Sequence, residues 1–420
     1  MNILIIGNGF DLAHGLPTKY DNFLDFCDKA RKIYTFHEDV SLNDYKNKNI
    51  DNWDMNDHIK NVLLEAFDKR DCEKVPSDNG TYELRVTTTN ASLNELYTHI
   101  DENTWLEYFL ECRSSIGENW IDFETEISKV IQALDEAINV KKSGKELDKM
   151  LKQNQEILLD VHKASKVSIK NAFKNDKTLN NFATILHREL GRLIRALEIY
   201  IVEFVGKIPV TEKNVDIEKL NMDHVLSFNY SDTFERIYSK GRNVECDYIH
   251  GKADIRKNVN TSNLVLGIDE YLDDDIKDKE LDLLPFKKYY QRIYKSTGNR
   301  YLEWVDEIKD GYTAYLNPQS LSGEIEYPGH MLYIFGHSLD VTDRDVLKMF
   351  ICNENVQTKI FYYQKNQDDK AELGKLIRNL ILIMGQEELI RRTGGVHKTI
   401  EFVPQTVMIT EKLLMNDNLD

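Results

Sequence analysis

The residues in this sequence that could do chemistry stand directly after short apolar runs, where the strands of a parallel sheet would end. The first run covers residues 2–6, and Gly7-Asn8-Gly9-Phe10-Asp11 follows it. Glycines at this spacing allow the tight turn and close backbone approach that a dinucleotide pyrophosphate needs at a strand-to-helix junction. Residue 12 is leucine rather than the third glycine of GxGxxG, so a plain turn explains the segment equally well. A second bend, Gly15-Leu16-Pro17, stands where a cofactor-binding loop would close.

Glycines and polar side chains follow four later apolar runs in the same way. In an open parallel sheet, ligands bind beyond the carboxyl ends of the strands. The recurrence at five strand ends therefore predicts one binding site. The later segments are Ser227-Phe228-Asn229, His250-Gly251, Gly267-Ile268-Asp269 and Gly336-His337-Ser338-Leu339-Asp340.

Two of these strand-end residues, Asn229 and His250, are the candidates for catalysis. A histidine changes its charge near neutral pH, so His250 could act as a general base. Asn229 could orient water or substrate, or it could cap the helix expected near Asp232, and the sequence leaves both open. Asp11 could provide favourable negative charge at the start of the first helix, or it could face a ligand.

Ser338 raises the question of a serine nucleophile. Its pattern is Gly-x-Ser-x-Asp rather than GxSxG, and the bulky neighbours His337 and Leu339 argue against a strained elbow. We therefore expect Ser338 to be a hydrogen-bond partner of a ribose rather than a nucleophile.

The composition predicts a soluble cytoplasmic protein. Of its 420 residues 41% are hydrophobic, which is enough for a core, and the net charge of −17 argues against a large nucleic-acid interface. The five cysteines are scattered without a CxxC pair, which favours a reducing compartment and predicts no zinc site. No apolar run approaches the roughly 18 residues that a membrane span needs, and no leader precedes the first strand.

The pattern of apolar residues predicts an α/β fold. Helical spacing marks 20–33, 123–134 and 182–204, whereas short apolar runs after Pro209 predict strands that join residues 2–6 in a parallel Rossmann-like sheet. We expect a single domain over 1–420, with a sheet core from about 1–35 and 209–420 and a large helical insertion at about 40–208. The predicted later strands are 224–228, 248–249, 264–266, 331–335 and 358–363.

These motifs resemble those of the sirtuins, in the same order along the chain. The opening glycines have the spacing of the sirtuin GAGxSxxxGIP motif. Four later segments resemble sirtuin motifs. Ser227-Phe228-Asn229 resembles TQNxD, and His250-Gly251 resembles the catalytic HG. Val265-Leu266-Gly267 resembles the V-x-FG strand end, and Gly336-His337-Ser338-Leu339 resembles GTSL.

A closer resemblance, over nearly the whole chain, is to the bacterial abortive-infection family AbiH. It rests on four segments: Gly-Asn-Gly-Phe-Asp-Leu-x-x-Gly-Leu-Pro-Thr-x-Tyr at 7–20, Trp120-x-Asp122-x-Glu124, Ser-Phe-Asn-Tyr at 227–230 and Phe-Gly-His-Ser-Leu-Asp at 335–340. The resemblance implies an NAD-handling α/β domain in an anti-phage protein. Asn229 and His250 would then flank the nicotinamide ribose. The implied NAD-binding residues are Gly7, Asn8, Gly9, Asp11, Gly15, Gly267, Gly336, Ser338 and Asp340.

Departures from the sirtuin pattern narrow the implied reaction. Ser231 stands where sirtuins have an aspartate, Asp11 replaces a serine, and Tyr20 replaces an arginine, so ligand contacts of Asp11, Asp232 and Tyr20 stay open. The segment 251–267 contains no cysteine, unlike the four-cysteine zinc module of the deacylases. We therefore expect hydrolysis of the nicotinamide–ribose bond of NAD without a metal, with His250 as base and Asn229 orienting water or ribose.

Two other functions remain open from the sequence. One is a sensor that binds NAD or ADP-ribose without turnover, and the other is an RNA- or DNA-targeting enzyme. The second would use a local basic groove on a predicted helix over 286–304, with Tyr290, Ile293 and Tyr294 packed inward. We also expect a phage-derived trigger, a homo-oligomer and no membrane partner. The helical insertion and the acidic loop 269–275 are candidate gating or oligomer surfaces, although a solvated connector explains the acidic loop better. The basic residues of the groove are Lys287, Lys288, Arg292, Lys295 and Arg300.

Overall fold

The chain divides into two compact units. The first consists of Met1–Leu16, Pro209–Lys252 and Ser296–Asp420, and the second of Pro17–Ile208 and Ala253–Lys295. A computed structural model describes residues 1–35, 54–76, 82–116, 122–142, 157–158, 160–161, 176–269, 281–317, 326–366 and 369–410.

The described residues form ten strands and a larger number of helices. The strands are β1 (Asn2–Ile6), β2 (Asp71–Pro76), β3 (Tyr82–Thr87), β4 (Glu212–Asn214), β5 (His224–Ser227), β6 (Glu245–Tyr248), β7 (His330–Phe335), β8 (Val356–Tyr362), β9 (Ile400–Pro404) and β10 (Met408–Thr410). The α-helices are α1 (Asn8–Ala13), α2 (Tyr20–Thr35), α3 (Asp57–Asp68), α4 (Ala91–Ile100), α5 (Thr104–Ile116), α6 (Phe123–Lys142), α7 (Asp176–Ile199), α8 (Val215–Glu218), α9 (Thr233–Tyr238), α10 (Lys288–Lys295), α11 (Tyr301–Leu316), α12 (Arg344–Ile351), α13 (Ala371–Met384) and α14 (Gln386–Thr393).

A six-stranded parallel sheet is the centre of the first unit. Its order is β6-β5-β1-β7-β8-β9, with Ile5 of β1 opposite Leu226 of β5 on one side and Ile334 of β7 on the other. Numbered along the chain within this sheet, the order is 3-2-1-4-5-6, which is the order of the Rossmann fold. The predicted parallel α/β sheet is confirmed.

Both faces of this sheet are buried, which explains why its strands are continuous apolar runs rather than alternating ones. One face contributes Ile3 and Ile5 of β1 to a cluster with residues of β7 and helices α11 to α14. The other face contributes Leu4 and Ile6 to a second cluster with Phe234 of α9. The side chains of successive residues thus serve two cores, as the twofold repeat of a strand requires.

One predicted strand is wrong. Residues 264–266 are buried but form no strand, and they belong to the second unit. The Leu266 N–H donates to Oε1 of Gln291 at 3.1 Å, and its carbonyl accepts from Nε2 at 2.9 Å. A side-chain amide therefore takes the place of a neighbouring strand, which a three-residue apolar run cannot reveal. The predicted strand at 248–249 ends at Tyr248 instead, and β9 was not predicted.

The second unit is mainly helical, with the hairpin β2–β3. Its predicted helices are confirmed as α2, α6 and α7, the last continued by a π-helical turn over Tyr200–Phe204. Aromatic rings form much of its core. Phe123 stacks on Phe109 at 4.2 Å and on Tyr20 at 4.1 Å. Tyr20 therefore has a packing role in this unit.

The single helix predicted over 286–304 is wrong. The segment forms α10 and the start of α11, and Gly298 between them has a φ of +62°. Ile293 and Tyr294, predicted to pack inward, are each 76% exposed. Of the predicted acidic loop 269–275, only Asp269 lies within the described residues. None of the helices in the described ranges is both long and apolar enough to cross a membrane.

Candidate functional site

The candidate site lies in the first unit, at the carboxyl ends of β1 and β7. Sheet order reverses between these strands, because the chain continues from β1 to β5 on one side and later returns to β7 on the other. Open α/β sheets bind ligands at such a switch point. The segments that follow β1 and β7 are Gly7-Asn8-Gly9, which leads into the first turn of α1, and Gly336-His337-Ser338. Both are predicted strand-end segments, and we call them the first and second glycine loops.

The glycines of these two loops bring their backbones together. The Gly9 N–H donates to the Gly336 carbonyl at 2.8 Å. A Cβ on Gly336 would lie 2.1 Å from the Phe10 nitrogen, and one on Gly7 would lie 2.8 Å from the His337 Cα. Gly336 also has a φ of +66°, which side chains disfavour. The glycine spacing is thus required by contact between two protein segments, independently of any phosphate.

Asn229 ties the end of β5 to the first glycine loop. Its side-chain N–H donates to the Gly7 carbonyl at 2.9 Å, and its backbone N–H donates to Oγ of Ser227 at 3.1 Å. Asn229 does not cap the following helix, because α9 starts at Thr233 and its N-cap residue is Asp232. The capping alternative is therefore wrong, and Asn229 lies where β5 and β1 end.

His250 follows β6 and shares a carboxylate with His337. Nε2 of His250 lies 3.7 Å from Oδ1 of Asp343, and Nε2 of His337 lies 3.4 Å from Oδ2 of the same residue. The Phe228 ring packs edge-on against both imidazoles, at 5.7 Å and 4.3 Å between centroids. Nδ1 of His250 is buried and has no hydrogen-bond partner among the described residues, whereas Nε2 faces Asp343.

A strained turn orients His337. Leu339 is fully buried and has a φ of +55°, in the left-handed region. Its N–H donates to Nδ1 of His337 at 2.9 Å. The left-handed residue of this turn is thus Leu339 and not Ser338, so the structure does not show the strained serine of a nucleophile elbow.

A buried carboxyl lies beside the first glycine loop. Oγ of Ser231 donates to Oδ2 of Asp11 at 2.6 Å, and Oγ1 of Thr233 donates to Ser231 at 3.0 Å. Burial raises the pKa of Asp11 to about 6, against the lowering effect of these hydrogen bonds and of the Arg236 charge. Asp11 is thus a residue of the interior of α1 that binds the segment after Asn229.

The remaining predicted ligand residues are spread more widely. Asn8, Gly15, Ser338 and Asp340 are exposed residues of the first unit. Oδ1 of Asp340 accepts the Thr342 N–H at 3.0 Å, so this aspartate caps a short 3₁₀ turn.

Gly267 belongs to the second unit and does not follow a strand. A Cβ on Gly267 would lie 2.4 Å from the Phe286 carbonyl oxygen. The absence of a side chain therefore has a packing reason there, and a ligand role of Gly267 stays a prediction.

The basic residues of the alternative groove are not an open cationic surface. Lys287 and Lys288 are buried, and Nζ of Lys288 lies 2.6 Å from a carboxylate oxygen of Glu124. Burial lowers the pKa of Lys295 to about 8. Arg300 belongs to the first unit, whereas these three lysines belong to the second.

Three residues of the site were missed by sequence reasoning. Asp343 follows the last strand-end motif by three residues, and His337 and Ser231 were noted only as a bulky neighbour and a departure from a motif. One sequence signal pointed to Asp343: it is a second aspartate, three residues after Asp340 of the last motif. Among the residues that the structure describes, no group of three or more histidine, cysteine or acidic side chains is arranged to hold a metal ion.

Comparison with known proteins gives one family. A family model described as bacteriophage abortive infection AbiH matches residues 3–364. No curated protein and no solved structure matches the chain significantly. The resemblance to sirtuins stays a prediction.

Proposed function

The chain belongs to the bacteriophage abortive infection AbiH family, and from that premise we propose that it is a defence effector which hydrolyses the nicotinamide–ribose bond of NAD. The observation that carries the proposal is the position of Asn229 and His250. Both follow neighbouring strands of a Rossmann-ordered sheet, and their contacts reach the loops at its switch point.

The proposed reaction needs one positioned water and one base. Water attacks C1′ of the nicotinamide ribose, the C1′–N bond breaks, and its electron pair stays on the nicotinamide nitrogen. The water proton passes to the imidazole of His250, so that NAD and water give nicotinamide, ADP-ribose and a proton. The nearby Asp343 carboxylate stabilises the imidazolium that forms.

Asn229 has a geometry suited to orienting the water or a ribose hydroxyl. Its amide N–H is already used by the Gly7 carbonyl. The side-chain carbonyl oxygen accepts no hydrogen bond within the described part of the chain. It is therefore available to accept one from a substrate hydroxyl or from the attacking water.

Nicotinamide release by the purified full-length protein tests this function. We expect wild type to release nicotinamide from NAD, and His250→Gln to lower the rate by about 10²–10⁴-fold because the base is lost. Asn229→Ala should also lower it. His397→Gln is the matched control, since His397 is exposed, and its rate should equal that of wild type.

Two results would overturn the proposal. If His250→Gln and Asn229→Ala release nicotinamide at the wild-type rate, the assigned roles are wrong. If wild type releases none, with or without lysate of phage-infected cells, NAD hydrolysis is wrong. Binding of NAD or ADP-ribose without turnover would then favour a sensor. The lysate arm is included because an unrestrained NADase would deplete its host, so we expect a phage-derived trigger.

A further inference from the structure

We infer that Asp343 and His337 are positioning residues that hold the imidazole of His250 for its reaction, an inference that rests on the proposed function for its kinetic part. Neither residue was assigned a role by the sequence motifs. The inference depends on which proton each ring nitrogen carries and on what else faces His250.

The tautomer of His337 follows from its hydrogen bond. Nδ1 accepts the Leu339 N–H at 2.9 Å, so Nδ1 carries a lone pair and the ring proton is on Nε2. Nε2 lies 3.4 Å from Oδ2 of Asp343. A backbone group in a strained, buried turn therefore determines which nitrogen of His337 faces the carboxylate.

Asp343 in turn determines the orientation of His250. With Oδ2 facing His337, Oδ1 is the oxygen 3.7 Å from Nε2 of His250. The rings of Phe228 and Tyr230 also pack against this imidazole, at 5.7 Å and 6.3 Å between centroids. Rings pack against an imidazole but do not distinguish its two nitrogens, so the carboxylate makes that distinction.

The backbone strain supports a functional reading of this arrangement. A leucine with a positive φ costs roughly 1–2 kcal/mol, and Leu339 adopts one although Gly336, three residues earlier, already supplies a left-handed residue to the same loop. The turn places His337 between Gly7 of the first glycine loop and Asp343. Strain retained at such a point is typical of sites where orientation matters.

Kinetics with NAD test the positioning role. We expect Asp343→Ala and His337→Ala to lower kcat by up to about 100-fold, with KM within about threefold of wild type, because the base is misplaced while substrate contacts remain. His337→Gln keeps an N–H donor and should recover part of the loss. Asp345→Ala is the matched control, since Asp345 lies two residues further along the chain and its side chain is 93% exposed.

A measurement without NAD separates this inference from the proposed function. In protein labelled with ¹⁵N at its 11 histidines, ring nitrogen shifts identify each tautomer, and the His250 and His337 signals are assigned by their absence in the His250→Gln and His337→Gln variants. We expect His337 to carry its proton on Nε2, and we expect Asp343→Asn to change the His250 shifts. This variant keeps the shape of the side chain, so it remains informative if Asp343→Ala fails to fold.

The outcomes distinguish the two claims. Changed His250 shifts together with a kcat loss support both. Changed shifts in a protein that does not hydrolyse NAD support the positioning inference and overturn the proposed reaction. A His337 proton on Nδ1, or His250 shifts that are the same in Asp343→Asn and wild type, would overturn the inference whatever the activity.

Discussion

Replacing Gly336 by alanine tests whether the glycines at the switch point are required by contact between two loops. An added Cβ would lie 2.1 Å from the Phe10 nitrogen and 2.4 Å from the Gly9 carbonyl carbon. Both are backbone atoms, so a side-chain rotation cannot relieve the overlap. The residue also has a φ of +66°, which alanine disfavours.

The expected loss of stability has two parts. A positive φ costs an alanine about 1–2 kcal/mol, and forcing extra atoms into a packed region typically costs about 1–3 kcal/mol. Gly241→Ala isolates the first part, because Gly241 has a φ of +78° and no atom of the described residues lies within 4 Å of an added Cβ. Gly336→Ala should therefore lose about 1–3 kcal/mol more than Gly241→Ala, out of the roughly 5–15 kcal/mol typical of a domain.

Thermal unfolding of the full-length variants measures this difference. For a unit of this size each kcal/mol lowers the midpoint by about 2–4 °C, so Gly336→Ala should unfold roughly 2–12 °C below Gly241→Ala. Equal midpoints would refute the close approach of the two loops. The glycine at 336 would then need another explanation, such as space for a ligand.

Two further changes test buried charges, one in each unit. Burial raises the pKa of Asp11 to about 6, so the folded state keeps a proton that the unfolded chain releases, and the free energy of unfolding falls as pH rises from 3.8 to about 6. Relative to wild type, the free energy of unfolding of Asp11→Asn should therefore rise by about 2 kcal/mol between pH ~4.5 and ~7.5. Unfolding at both pH values measures this change, and a difference between the two proteins that does not vary with pH would contradict the assigned burial. Arg195→Ala should lower the free energy of unfolding by about 3–5 kcal/mol, because it removes the partner of a fully buried carboxylate. Oε2 of Glu198 lies 2.7 Å from Nη1 of Arg195. The exposed Arg256 is the control, and an Arg195→Ala midpoint equal to that of Arg256→Ala would count against a structural role for the buried pair.

The strands of the sheet were largely predictable because a strand that is buried on both faces needs a continuous run of apolar residues, which can be seen in the local sequence. The runs at 2–6, 224–228, 331–335 and 358–363 were found within two residues of their observed bounds. The apolar run at 264–266 has the same pattern, but the backbone of Leu266 forms hydrogen bonds with the side-chain amide of Gln291 instead of with a neighbouring strand. Periodicity reports that a segment is buried and does not report what it is buried against.

The site divides in the same way. The sequence by itself determined the family and placed Asn229 and His250 at strand ends, since strand ends follow from the apolar runs that precede them. Only the tertiary structure decided that Gly7, Gly9 and Gly336 accommodate one another, and that one carboxylate lies between His250 and His337. The loops after β6 and β7 are far apart in sequence. They meet because all strands of a parallel sheet end at the same edge, and the sheet order places only β5 and β1 between β6 and β7. Such a meeting depends on strand order, which no local pattern of residues encodes.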